Sequence, residues 1–351
     1  MVVMKQKTLV GALLIGLAGC ASTKMPEAGT AMVDRPVTRH GLIKAAGNKI
    51  VDRTGAPVQL VGMSLFWSVW GGERYFNKEV VDWLVSDWKC SLVRAPLAVE
   101  PVGGYLNYAD LARMRLRDVV EAAIANGVYV LIDWHEEHAD QHVEQARVFF
   151  EDMARNYGDT PNVIFEIWNE PAGKMEPIPT WPQIKAYAEA IIPVIRKHSP
   201  NLIVVGTPEW SQRVDLAADD PVAGTNIAYT LHFYAGSHGR DLRDKADYAL
   251  GKGVALFITE WGTTVADGGS QDKRVYTEAA AEWLRWAGQN QLSWANWSVM
   301  DKDEASAILP PDPGDEDGLP KAAPDQGHWP LAHLSESGRW VREQIRGASV
   351  P

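Results

Sequence analysis

The sequence predicts an α/β fold, a (β/α)8 TIM barrel with a small β-hairpin before it. Eight apolar runs recur along the chain, most of them separated by stretches with helical periodicity. The runs are apolar throughout rather than alternating, as strands of a parallel sheet buried on both faces must be. Neither GxGxxG nor GxxxxGK[ST] occurs, so the phosphate-binding alternatives among α/β folds lack their motif.

The leader comes first in the chain. Residues 1–20 read MVVMKQKTLVGALLIGLAGC, with Lys5 and Lys7 ahead of an apolar stretch, Leu9 to Leu17. That stretch is too short for a hydrocarbon layer of ~30 Å. Leu17-Ala18-Gly19-Cys20 resembles the lipobox of bacterial lipoproteins, where cleavage before the cysteine leaves it lipidated. An ordinary secretory signal cut nearby is the competing reading. The expectation is a signal peptide over 1–20, a flexible tether over 21–36 and a catalytic barrel over 37–351. The mature chain would be exported and held by a lipid on Cys20, at the bacterial outer membrane or cell surface. Ala21 and Ser22 follow the cysteine, with no Asp to suggest inner-membrane retention. Cys90, the other of 2 cysteines, reads as a buried structural thiol.

Next, Leu42–Ala45 and Lys49–Val51 flank Gly47-Asn48, a hairpin signature that would close the barrel floor. The eight runs follow: Val58–Trp67, Ser91–Val99, Val128–His135, Val163–Glu170, Leu202–Trp210, Ile227–Ala235, Ala255–Gly262 and Leu292–Met300. Helical patterns cover Lys78–Lys89, Tyr108–Asn126, His142–Tyr157, Trp181–His198, Asp241–Gly251, Tyr276–Asn290 and Glu336–Arg346. The fifth connection, Ser211 to Asn226, reads as short and weakly helical.

Composition narrows the function. A net charge of −11 argues against a nucleic-acid partner, which would need a basic face. The chain carries 15 Trp against 7 Phe and 10 Tyr, more indole than a core requires. Trp67, Trp70, Trp210, Trp261 and Trp297, and with them Trp134, Trp168 and Trp329, fall at strand ends or in loops. They read as sugar-stacking surface. Trp83, Trp88, Trp283, Trp286 and Trp340 lie on helix patterns and read as packing.

Chemistry in a barrel sits at the C-terminal strand ends. There the runs place Arg94, Asp133-Trp134-His135, Asn169-Glu170, His232-Phe233-Tyr234, Glu260 and Trp297. Two carboxylates at one mouth are the equipment for glycoside hydrolysis: one donates a proton to the leaving oxygen, the other attacks the anomeric carbon. Different surroundings must hold them in different protonation states. Glu166, four residues before Glu170, reads as a structural carboxylate paired with a base inside the barrel.

At these residues the sequence resembles glycoside hydrolase family 5, and within it the bacterial endo-1,4-β-glucanases of subfamily 2. The resemblance runs from about His40 to Arg346. It is carried by Asn169-Glu170-Pro171, Leu231 to Gly236, Ile258 to Gly262, Trp294 to Ser298 and Asp301 to Ser306. It implies a cellulase that cuts internal bonds of a β-1,4-glucan by double displacement, with no cofactor. Glu170 would be the acid/base and Glu260 the nucleophile, with Arg94 bonding the latter. Asn169 would touch the 2-hydroxyl in subsite −1, His135 and His232 would line that subsite, and Tyr234 would sit beside the nucleophile. Trp297 would form its floor. Lys302, Glu304 and Trp70 would serve −2, and Trp210 the +1 side.

Other readings compete. His135, His138 and His142 do not form H-E-x-x-H, and no metal is expected. Asp312 to Asp317 lacks EF-hand spacing and reads as a solvated loop. Gly327-His328-Trp329 departs from the family pattern at His328, which puts the outer contacts in question. Mannanase, xyloglucanase or licheninase activity is the rival within the family. A non-catalytic carbohydrate-binding lipoprotein is the rival outside it. A monomer is expected.

Overall fold

The computed structural model describes residues 35–172, 177–311 and 328–348. The leader, Cys20, most of the tether and the acidic stretch from Asp312 to Asp317 lie outside the described residues.

Helix α1 (Pro36–His40) leads into a hairpin of β1 (Lys44–Ala46) and β2 (Lys49–Val51), paired antiparallel with Ala46 opposite Lys49. Gly47 makes the turn at φ 58°, a left-handed conformation that glycine adopts without a Cβ penalty. Ile43 and Ile50 pack with Leu92, Leu131, Ile164, Val204 and Phe257, which fill the lower interior of the barrel. The hairpin is therefore the floor that the sequence pattern implied.

Eight parallel strands close the barrel: β3 (Val61–Leu65), β4 (Leu92–Ala98), β5 (Tyr129–His135), β6 (Val163–Glu166), β7 (Ile203–Val205), β8 (Ile227–Tyr234), β9 (Ala255–Gly262) and β10 (Trp294–Val299). Each pairs with the next, and β10 returns to β3 with Trp294 opposite Val61. The register shifts twice along β9. Thr230 and His232 of β8 face Phe257 and Glu260, so β9 spends one extra residue there. Trp294 and Asn296 of β10 face Ile258 and Trp261, the same excess seen from the other side. A bulge of this kind re-aims side chains.

Around the strands run α2 (Lys78–Ser86), α3 (Tyr105–Asn126), α4 (Val143–Tyr157), α5 (Trp181–Arg196), α6 (Pro208–Ser211), α7 (Val214–Asp219), α8 (Arg240–Gly251), α9 (Thr277–Asn290) and α10 (Glu336–Ala348). The fifth connection, Ser211 to Asn226, holds one short helix, α7, as its weak periodicity suggested, and the α6 turn before it includes left-handed residues. Inward stripes such as Phe149, Phe150 and Met153 of α4 and Ile184, Ile191 and Ile195 of α5 are fully buried against the outer strand faces.

Two runs end earlier as strands than their apolar content suggests. β6 stops at Glu166, but the chain continues beside the extension of β5. Asn169 N–H donates to Trp134 O at 3.2 Å and Ala172 N–H to Glu137 O at 3.3 Å. β7 stops before Gly206, where a Cβ would lie 2.4 Å from Trp168 O. Only glycine lets β7 approach the segment carrying Asn169 and Glu170 this closely.

Candidate active site

Arg94 of β4 is the hub of the barrel mouth. It is fully buried, and its guanidinium reaches Glu166 Oε2 from Nε (2.8 Å), Glu260 Oε2 from Nη1 (3.0 Å), and Asn169 Oδ1 (2.6 Å) and Asp133 Oδ2 (2.9 Å) from Nη2. Burial disfavours its charge, but Asp133, Glu166 and Glu260 outweigh this and hold it above its usual range. The planar fork of arginine serves these acceptors, and Ser64 Oγ at 3.4 Å from Nη1, in one place, which a lysine ammonium cannot. Glu166 is the structural carboxylate expected, and the base paired with it is Arg94.

Glu260 sits on β9 after the bulge. Its Oε2 accepts from Arg94 and its Oε1 from the Tyr234 hydroxyl at 2.7 Å. Burial and the adjacent Glu260 push the Tyr234 phenol well above its usual range, so it stays a donor. Glu170, beyond the end of β6, is only partly buried by its neighbours and faces the cleft. Desolvation raises its carboxyl to about 8, against the pull of Arg94. One oxygen of Glu170, one of Glu260 and a ring nitrogen of His232 all lie within 4.8 Å of one another. A carboxylate pair this close fits the ~5–5.5 Å spacing of direct attack, not the ~6.5–9.5 Å of inverting enzymes.

His232 of β8 bonds Glu170 Oε1 through Nδ1 (2.7 Å) and Thr259 Oγ1 through Nε2 (2.8 Å). His135 of β5 bonds Asp133 Oδ2 at 2.6 Å through Nδ1. Burial lowers both rings: His232 to about 4, His135 well below its normal value. Both are neutral imidazoles at neutral pH. Asp133 and Glu166 are each raised by burial to about 7, with Arg94 opposing. Three carboxyls thus share one guanidinium.

The aromatic walls divide. Trp297 lies parallel to the His135 ring at 5.4 Å, with its following peptide bond cis. Trp67 meets His135 edge-on at 4.0 Å and Trp70 at 5.2 Å, and Trp70 is 60% exposed. Trp210 stands on the opposite rim, 37% exposed. It is the middle of three consecutive left-handed residues, Glu209, Trp210 and Ser211, at φ 56°, 58° and 57°. Non-glycine residues held there carry a steric cost. The turn is tied down by Ser211 Oγ, which donates to Asn169 O at 2.7 Å. In the loop after β10, Lys302 Nζ pairs with Glu304 Oε1 at 2.6 Å and lies 5.2 Å from the Phe66 ring centre.

Four tryptophans expected at the mouth are elsewhere. Trp134, Trp168 and Trp261 are fully buried, packed on Phe149, Tyr187 and Phe233 respectively, between barrel and helices. Trp329 packs on Trp83 of α2 at 4.9 Å. Strand alternation explains Trp134: with Asp133 and His135 pointing inward, the residue between them points out. The same rule puts Asp133, placed at the strand end by the sequence but given no role there, beside His135 on the inner face. Thr259 was equally unexpected: it lies two residues beyond inward-facing Phe257, and the β9 bulge then sets Glu260 beside it on the same face.

His142, weighed as a metal ligand, has its Nδ1 bonded to Glu136, with Glu100 Oε1 at 3.9 Å. Glu136 Oε2 accepts from Trp134 Nε1 at 2.6 Å. The pair serves to brace the strand extension beside Glu170, whose N–H donates to Glu136 O at 3.4 Å.

Residues 51–303 match the family model for cellulase, glycosyl hydrolase family 5. Endoglucanase Z of Dickeya dadantii is 47% identical over 270 residues, 76% of this chain and 61% of that protein. The chain thus spans about three fifths of that relative's length. A structure from Cytophaga hutchinsonii is 42% identical with a TM-score of 0.82, covering 90% of this chain and 97% of that one. The catalytic domain of Thermobifida fusca endoglucanase Cel5A, solved with cellotetraose, is 30% identical with a TM-score of 0.79, covering 89% of this chain and 99% of that one. With the matched family model covering well over half of it, the chain belongs to glycoside hydrolase family 5.

Proposed function

We propose that this protein is a retaining endo-1,4-β-glucanase. The observation that carries the reading is the close approach of two carboxyls with opposite surroundings, Glu260 between Arg94 and Tyr234, and Glu170 raised by burial. Glu260 attacks the anomeric carbon. The glycosidic C–O bond breaks, and the proton of Glu170 passes to the departing oxygen. The glycosyl–Glu260 ester is then cleaved by water, which gives a proton to Glu170, and the configuration is retained. Asn169 points its amide oxygen at Arg94, which leaves its N–H donors for the sugar 2-hydroxyl. His135 and Trp297 form the wall and floor of subsite −1. Lys302, Glu304 and Trp70 receive the glucose at −2, and Trp210 the one at +1.

The β-1,4-glucan specificity is supported by the endoglucanase relatives and by the cellotetraose complex of the Thermobifida fusca enzyme. Hydrolysis of carboxymethyl-cellulose, mannan, xylan and lichenan in parallel tests it. The reading predicts reducing ends fastest from carboxymethyl-cellulose. A dominant rate on mannan or xylan, or binding without release, contradicts it. We also propose export and lipid attachment at Cys20, supported by Leu17-Ala18-Gly19-Cys20. A diacylglyceryl mass on the Cys20 peptide from membranes is the expected result, and an unmodified peptide contradicts it.

A further inference from the structure

Thr259 is fully buried and makes one side-chain hydrogen bond among the described residues, to His232 Nε2 at 2.8 Å. The other ring nitrogen of His232 faces Glu170 Oε1 at 2.7 Å. Glu170 Oε2 has no hydrogen bond among the described residues. A neutral imidazole has one donor and one acceptor, so two arrangements exist. In the first, the Thr259 hydroxyl donates to Nε2, and Nδ1–H donates to Glu170 Oε1. The acidic proton of Glu170 then sits on Oε2, free to face a substrate. In the second, Nε2–H donates to Thr259, and bare Nδ1 draws the Glu170 proton onto Oε1, turned away from the cleft. The second arrangement leaves the buried Thr259 O–H without an acceptor, a desolvation cost the first avoids.

The β9 bulge sets this contact beside Glu260. Glu260 and Thr259 are adjacent, and a regular strand would send them to opposite faces. Three residue steps in β9 against two in β8 let both reach inward. Thr259 touches His232 while Glu260 touches Arg94 and Tyr234.

We propose that Thr259 is a positioning residue of the acid/base step: its hydroxyl holds His232 in the Nδ1–H tautomer, which keeps the transferable proton of Glu170 on Oε2. The inference rests on the reading of Glu170 as acid/base. Burial of the ring, which holds it neutral, agrees with it. The same tautomer serves the second half-reaction, where Nδ1–H donates to the Glu170 carboxylate as it takes a proton from water.

Two variants and two substrates test this. Carboxymethyl-cellulose needs a protonated leaving oxygen, whereas 2,4-dinitrophenyl β-cellobioside does not, and kcat/KM reports the first step for both. Thr259→Val should lower kcat/KM on carboxymethyl-cellulose roughly tenfold, a part of the ~10²–10⁴-fold that general acid catalysis contributes, and on the aryl glycoside less than about twofold. Thr259→Ser should stay near wild type on both. The 15N shifts of His232 in the wild-type protein should show Nδ1 protonated and Nε2 bare. Equal losses on the two substrates, an unaffected Thr259→Val, or a protonated Nε2 in the wild type each overturn the inference while leaving the glucanase reading intact. A wild type inactive on both substrates removes that reading, and the inference with it.

Discussion

Glu170 and Glu260 are the same residue type a few ångströms apart, and their neighbours separate their roles. Glu260 receives donors on both oxygens. Glu170 receives one bond on Oε1, and desolvation raises it from an ordinary 4.5 to about 8. Activity on glucan should therefore fall as pH rises through about 8, when the acid is lost. The same shift has a stability consequence. Above 4.5 the unfolded chain gives up a proton that folded Glu170 keeps until about 8, so stability falls with pH across that window. His232 works in the opposite sense: lowered from 6.5 to about 4, it contributes stability that is lost as pH falls through that range. Between 6.5 and 8 the carboxyl acts without the histidine. Glu170→Gln should melt higher than wild type at pH 8, and its Tm should fall less from pH 6.5 to 8. Parallel Tm profiles for the two proteins would contradict the raised carboxyl.

At the scale of elements, the barrel was legible because its strands are buried on both faces and its helices on one, two patterns that differ in any single sequence. The site was legible where polar residues interrupted an apolar strand end: Arg94, His135, Asn169, Glu170, His232, Tyr234 and Glu260 converge on one mouth. Individual directions were harder to read. Trp134 and Trp261 stand beside His135 and Glu260 in sequence but pack outward on Phe149 and Phe233. Counting by two along β5 assigns Trp134 correctly and adds Asp133 to the inner face. Counting by two fails in β9, because the extra residue between Phe257 and Glu260 depends on the register of both neighbouring strands. Nothing local marks that bulge. The left-handed turn at Glu209 to Ser211 is likewise set from outside, by the bond from Ser211 to the backbone of Asn169. Lys302 and Glu304 were placed by family resemblance, and their ion pair is a feature only the folded loop displays.

At the scale of the whole molecule, the barrel interior has two layers with opposite tasks. The lower layer, from Ile43 to Ala295, is apolar and closed by the hairpin. The upper layer buries Arg94 among carboxyls, a costly arrangement that well-packed hydrophobic groups would improve in stability. Aromatic side chains outside the strands, Trp83, Trp88, Trp134, Trp168, Trp261 and Trp283, are fully buried around the barrel. Tryptophan abundance therefore has two sources: the proposed stacking cleft of Trp67, Trp70, Trp210 and Trp297, and a larger shell packed outside the strands. In the proposed mechanism this layer forms and breaks a bond at Glu260. A 2-deoxy-2-fluoro-β-cellobioside with a good leaving group slows release of the intermediate, and mass spectrometry of the digested protein reads where the sugar remains. The expected result is one fluorocellobiosyl unit on the peptide carrying Glu260, and none in Glu260→Gln. Inactivation with the label on another residue, or turnover with inverted configuration and no adduct, would contradict it.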